Sequence, residues 1–175
     1  MTQYILEKAR KIRIVIFDVD GVLTDGSLYL TDGGEEIKAF NSRDGHGIKM
    51  LKASGVKVAL ITGRESRCVN LKAIDLGITT VYQGAKSKLP AFQALLREQE
   101  LDASCCAYAG DDLIDVPVML RCGLAITVPA APAFVKKHAH YVTQAEGGRG
   151  AVREICEMIM DAQDTLNAQL TTYLI

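Results

Sequence analysis

No apolar stretch in the chain of 175 residues approaches the roughly 20 that a membrane-spanning helix needs. The opening residues, MTQYILEKARKIR, hold no apolar signal core, so no secretion signal is expected. An excess of either charge is also missing: 20 basic and 21 acidic residues leave a formal net charge of −1. That balance offers no electrostatic footprint for nucleic acid or an anionic membrane, and neither is expected as a partner. Paired cysteine motifs are absent. The five cysteines, Cys68, Cys105, Cys106, Cys122 and Cys156, are odd in number and form no CxxC. Reduced, mostly buried thiols in a cytoplasmic protein suit that spacing. Internal repeats, low-complexity tracts and linkers are lacking, so one domain over residues 1–175 is expected. Half the residues are apolar (49%), enough for a sizeable core.

The β-branched run at residues 12–17 ends at Asp18 and reads as a fully buried parallel strand. Residues 56–61, 79–82, 105–109 and 124–128 read as further short strands. Helical patterns at 47–54, 66–76, 89–100 and 113–121 lie between them. Alternating strand and helix predicts an α/β fold: a doubly wound, Rossmann-like parallel sheet with right-handed crossovers. One segment interrupts it. Residues 28–30 and 36–40 flank Thr31-Asp32-Gly33-Gly34, the pattern of a β-hairpin, so a flap over about 27–41 is expected near the carboxyl edge of the sheet. Gly147-Gly148-Arg149-Gly150 reads as flexible punctuation. A helix is expected from 151 to about 169, and the apolar tail 170–175 is expected to dock, with a neighbouring subunit one possible surface.

The chemistry concentrates at strand ends. The first strand runs into Asp18-Val19-Asp20-Gly21, where two carboxylates so close repel unless a cation or proton holds them. Mg²⁺, a hard ion that prefers oxygen ligands, would relieve that repulsion. A second acidic cluster, Gly110-Asp111-Asp112 with Asp115, closes a later strand. Carboxyl ends of a doubly wound sheet converge on one crevice, so Asp18, Asp20 and Asp111 can share a metal despite their separation in sequence. Asp112 and Asp115 open the next helix, where acids either support metal ligands or simply cap the first turn. Thr62-Gly63-Arg64 ends a third strand; Thr62 either presents a donor to an anion or caps the following helix. Lys86 and Lys88 follow a fourth strand, and a lysine at a helix start is a mild electrostatic misfit that suggests a functional role. Acids, hydroxyl and cation in this arrangement are the parts phosphoryl transfer needs.

These segments (DVDGVLTDG from Asp18, LITGRES with Thr62, QGAKSK with Lys88, GDDLIDVPVM with Asp111) resemble the four motifs of the haloacid dehalogenase-like (HAD) superfamily. The flap GEEIKAFNSRDGHGIKML and the tail GGRGAVRE resemble its small phosphatases that lack a cap domain and act on sugar-acid phosphates. The resemblance implies an Mg²⁺-dependent phosphatase with Asp18 as nucleophile and metal ligand. Asp20 would be acid, then base, and would bind the metal through its carbonyl. Asp111 would complete the metal site, with Thr62 and Lys88 on the phosphoryl oxygens. Asn41, Ser42, Arg43, Asp44, Gly45, Lys49, Gly63, Arg64 and Lys72 would face the substrate, together with Asp20 and Lys88. A homotetramer is implied, its hairpin and a neighbour's tail closing the site. Lys72 stands where the subfamily often has arginine and presents a point charge rather than a fork. Ser87 stands where relatives commonly carry an acid or amide. Arg64, where nine-carbon-acid relatives would have glutamate, favours an eight-carbon octulosonate phosphate.

A carboxylate attacks a dianionic phosphate poorly, so the metal, Lys88 and Thr62 are each needed to offset repulsion. Three other readings compete. A phosphoacceptor receiver domain also places acids, Thr and Lys at strand ends, but has no need of Asp20 or the late cluster at Asp111. A non-catalytic oligomerisation module is disfavoured because all four motif positions are filled. A phosphatase for a nine-carbon acid would share every step of the chemistry.

Overall fold

The computed structural model describes residues 2–174. In chain order come α1 (Gln3–Ala9), β1 (Ile14–Phe17), β2 (Tyr29–Leu30), β3 (Glu36–Ile37), α2 (Ser42–Ala53), β4 (Lys57–Ile61), α3 (Arg67–Asp75) and β5 (Thr80–Tyr82). Then follow α4 (Lys88–Gln99), β6 (Cys106–Ala109), α5 (Val116–Met119), β7 (Leu124–Thr127), α6 (Ala133–Lys137), β8 (Tyr141–Val142), α7 (Ala151–Ala162) and α8 (Leu166–Thr171). Six strands form one sheet in the order β5-β4-β1-β6-β7-β8, and every pairing is parallel. β1 lies between β4 and β6 with all four residues buried, as a continuous apolar run demands. Alternate residues feed the two faces. Val15 and Phe17 join a core with α1, α2, α3 and α7; Ile14 and Ile16 join one with α4, α5 and α6. Fully buried Val152, Ile155 and Ile159 anchor α7, each contributing about 1.5–3 kcal/mol. The chain winds outward from β1 through β4 to β5, then returns to β6 on the other side. That reversal opens a crevice at the carboxyl end of β1. Among the described residues no helix is long and apolar enough to cross a membrane.

The five strands and the hairpin lie where the sequence pattern puts them, within a few residues. Several helices differ. α2 begins at Ser42 rather than 47, because the Asn41 side chain accepts hydrogen bonds from the Arg43 and Asp44 N–H groups (2.9 and 3.3 Å). The expected helix 113–121 is a 3-10 turn, Leu113–Asp115, followed by the short α5. The expected helix 151–169 breaks after α7. Asp164 there takes φ +57°, and the Gln163 amide donates to the Ala9 and Ile12 carbonyls (3.1 and 2.8 Å). α1, α6 and β8 went unread, the last two because five and two residues are too few to show a period. His140 accepts from the Ala125 N–H through Nδ1 (2.9 Å) and holds the edge of β7.

The terminal segments also correct the sequence reading. The Gly147–Gly150 stretch is a packed wedge, not a loose joint: Gly148 N–H donates to the Val22 carbonyl (2.9 Å). The tail lies against its own chain, with the Tyr173 ring edge-on to His46 at 5.3 Å. Leu170, Tyr173 and Leu174 nevertheless remain exposed.

Candidate active site

β1 carries Asp18 to the carboxyl edge, where its N–H still donates to the Ala109 carbonyl of β6 (2.9 Å). The chain then turns tightly through Val19–Leu23. Gly21 is required in that turn. Its φ is +91°, and a Cβ would stand 2.1 Å from Asp111 Oδ2. Only glycine lets the second acidic strand end close against the first. The Thr24 hydroxyl braces the turn by accepting from Gly26 and Gly21 N–H (3.2 and 3.4 Å). Gly147 presses from outside, where a Cβ would lie 1.8 Å from the Gly21 carbonyl oxygen.

Asp18 is buried, 5% exposed, at the crevice floor. Its Oδ1 accepts from Val19 N–H (2.7 Å) and lies 2.8 Å from Lys88 Nζ. Lys88, at the start of α4, is fully enclosed, and the same Nζ is 2.6 Å from Asp115 Oδ1. The crevice lysine is therefore Lys88; Lys86 faces solvent. Asp115 does far more than cap a turn. Oδ1 also accepts from the Tyr108 hydroxyl (2.5 Å), and Oδ2 accepts from Asp111 and Asp112 N–H (3.0 Å each). It thus fixes both the lysine and the loop bearing Asp111. Asp112 is a cap, accepting from Leu113 N–H (2.7 Å).

Burial pushes the Asp18 carboxyl up to about 8 despite Lys88 beside it. Burial, and then Asp115, push Asp111 up to about 6. Burial is the first cause of both shifts, in a cluster where three carboxylates share one ammonium. Ligand oxygens of Asp18, Asp111 and Asp115 all lie within 4.8 Å of one another. An oxygen-only set with surplus negative charge fits a hard divalent ion such as Mg²⁺. Asp115 has both oxygens committed, which leaves Asp18 and Asp111 with oxygens to offer.

Thr62, 2% exposed, ends β4, and its N–H donates to the Tyr82 carbonyl (2.9 Å). It does not cap α3, which starts at Arg67 behind Ser66. Its hydroxyl accepts from Arg64 N–H at 3.5 Å. Thr62, Gly63, Arg64, Asp18, Asp20, Gly26, Asp111, Asp112 and Ile114 line a crevice of about 240 Å³. The Asp20 carboxylate lies outside the cluster of Asp18, Asp111 and Asp115 and pairs with Lys38 of the flap, while Arg64 Nε lies 3.9 Å from its Oδ2. Lys38 and Glu36 were not singled out from sequence. Their i, i+2 spacing in a strand, which places both on one face, was the available signal.

The remaining candidates sit elsewhere in the single chain. Asn41 caps α2, with Ser42 and Arg43 exposed beside it. Asp44 is buried, where it accepts from Gly150 and Arg153 N–H (3.2 and 2.8 Å) and joins α2 to α7. Gly45 lies under Lys72, whose Nζ would be 3.5 Å from an added Cβ. Lys49 and Lys72 both pair with Asp75 (3.5 and 2.8 Å). None of these lines the 240 Å³ crevice.

Fold and site together define an α/β hydrolase built for phosphoryl transfer. The family model of haloacid dehalogenase-like hydrolases matches residues 68–155. The 3-deoxy-D-manno-octulosonate 8-phosphate phosphatase KdsC of Yersinia pestis is 49% identical, covering 93% of this chain and 87% of that protein. Its Escherichia coli K12 counterpart is 48% identical over 93% of this chain and 87% of its own. A crystal structure of the Moraxella catarrhalis phosphatase in complex with magnesium, phosphate and KDO superposes with a TM-score of 0.97. It is 40% identical, with 99% of both chains covered. The chain belongs to the haloacid dehalogenase-like hydrolase family.

Proposed function

We propose that this protein hydrolyses 3-deoxy-D-manno-octulosonate 8-phosphate to the free sugar acid and phosphate, a step in making a lipopolysaccharide precursor. The observation that carries the reading is Asp18, buried at the end of the central strand, pinned by Lys88 and clustered with Asp111. Asp18 and Asp111 would hold Mg²⁺, with the Asp20 carbonyl. When bound, the ion offsets the repulsion between the Asp18 carboxylate and the phosphate dianion.

Asp18 attacks phosphorus through the oxygen that Lys88 leaves free. The bond from phosphorus to the C8 oxygen breaks, and Asp20 gives that oxygen its proton. Water then attacks the phosphoaspartate, losing its proton to Asp20, and the bond between phosphorus and Asp18 breaks. Thr62 and Lys88 stabilise charge on the phosphoryl oxygens, with backbone N–H groups of the Asp18 and Thr62 turns beside them. A crevice of about 240 Å³ takes the phosphoryl end, so the sugar acid extends outward past Arg64 and the flap. Arg43, Lys49 and Lys72 supply positive charge for its carboxylate and hydroxyls, with Asn41, Ser42, Asp44 and Gly45 shaping that wall. These residues lie apart from the crevice of one chain, which suits a homotetramer that completes the site. The reading includes a cytoplasmic location.

Phosphate release across sugar-acid phosphates tests it. The octulosonate 8-phosphate is expected to give the highest kcat/KM with Mg²⁺, and Asp18→Asn to abolish turnover. Asp20→Asn should cost about 10²–10⁴-fold, the usual worth of a general acid or base. A nine-carbon acid phosphate that reacts faster would overturn the substrate assignment.

A further inference from the structure

Lys38 has no role in the scheme above, yet its environment is unusual for a flap residue. The flap presents Leu28, Tyr29, Leu30 and Ile37 to solvent, each about half exposed or more. The Lys38 side chain turns inward beside that of Glu36 and is 1% exposed. An ammonium so removed from water requires charged partners. It has Asp20 Oδ1 on one side and Glu36 Oε1, at 3.2 Å, on the other. Arg64 closes a four-membered ring of charge, with Nη2 2.9 Å from Glu36 Oε1 and Nε 3.9 Å from Asp20 Oδ2. The flap root is also tied to α3, where Cys68 Sγ donates to the Glu36 carbonyl (3.4 Å).

The geometry points to Lys38 as the positioning residue for Asp20, coupling the docked flap to the placement of the group that protonates the leaving oxygen. This rests on the role given to Asp20 above. Lys38 does not line the crevice, so it acts through Asp20 and not on substrate. Two-residue strands β2 and β3 hold each other through their backbones, whereas the ring ties the flap to Asp20 and Arg64. What the ring does fix is the Asp20 side chain, whose carboxylate would otherwise sample several rotamers. Misplacing a catalytic group by ~1 Å can cost about 10²-fold in rate. When the flap lifts, Lys38 and Glu36 leave together and Asp20 loses its hold. Proton transfer is thereby confined to the closed site.

The test compares kcat/KM, which reports steps up to departure of the leaving group, for esters that differ in their need for a proton. p-Nitrophenyl phosphate and phenyl phosphate share a ring, but only the more basic phenolate needs protonation; the octulosonate 8-phosphate needs it most. Lys38→Met should lose less than about 3-fold on the nitrophenyl ester and about 10-fold or more on the sugar phosphate, with phenyl phosphate between, as loss of general-acid help dictates. Asp20→Asn should show the same gradient, and Lys38→Arg should restore most of the activity. Lys38→Gln serves the same comparison where Lys38→Met does not fold. Equal losses on both aryl esters, or wild-type behaviour on all three, would overturn the inference. A wild-type enzyme that releases phosphate from none of them would instead refute the functional reading, so the two failures are distinct.

Discussion

Lys88 is flanked by two buried carboxylates, and its replacement has consequences for folding as well as catalysis. Nζ lies 2.8 Å from Asp18 and 2.6 Å from Asp115, with no water-exposed surface on the side chain. Removing one partner of such a group leaves the others buried and uncompensated. Lys88→Met is therefore expected to lower the unfolding free energy of the metal-free protein by about 3–5 kcal/mol, read by chemical denaturation. Turnover should vanish with it. A variant as stable as wild type would mean that Asp18 and Asp115 find other partners. Asp18, Thr62 and Asp111 were legible in the sequence because each stands at the end of an apolar strand, and strand ends face the crevice; Lys88, six residues beyond β5, was singled out only by the family resemblance. Tyr108 was not. Inside the strand Cys106–Ala109 it reads as one more apolar residue, and only the fold shows its hydroxyl on Asp115.

At the scale of elements, two connections decide the site. The first is the glycine wedge before α7. Gly147→Ala would bring a Cβ to 1.8 Å from the Gly21 carbonyl, so the turn carrying Asp20 must move. Overpacking of this kind costs about 1–3 kcal/mol. A fall in kcat of about 10²-fold is expected from the displaced turn, measured at saturating Mg²⁺; an unchanged kcat would show the turn to be held from within. The second is the flap. Ser66, then Arg64 and Lys38, hold the Glu36 carboxyl down to about 2 from 4.5. A depressed carboxylate contributes stability that is complete above about 4.5 and is lost as pH falls toward 2. The hydrogen-exchange protection factors of residues 29–37 should fall over that window in wild type. In Glu36→Gln exchange should already be fast at neutral pH; an unmoved profile would detach the flap from Glu36. The wedge and the flap docking were both opaque to sequence, since their partners lie far away along the chain: Gly147 against Gly21, Lys38 against Asp20.

The whole molecule presents an apolar rim. Leu28, Tyr29, Leu30 and Ile37 on the flap are exposed together, as are Tyr173 and Leu174 on the tail. Exposed apolar side chains of this kind suit the homotetramer proposed above. Light scattering is expected to give about four times the chain mass of 19.0 kDa. Leu30→Glu, which puts a charge into that surface, should shift the assembly toward smaller species and lower kcat/KM for the sugar acid more than for p-nitrophenyl phosphate. A monomer with full activity on the sugar acid would leave Lys49, Lys72 and Arg43 without a route to substrate.

The sequence by itself determined the alternation of strand and helix, the parallel sheet, and the four strand ends that carry the reactive groups. These follow from local periodicity and from the rule that strand ends share one edge. Only the tertiary structure decided that Asp115 anchors Lys88 and that Asp20 faces a buried lysine from the flap. Those outcomes depend on desolvating charges from distant segments in one place, an energy that no local pattern of residues contains.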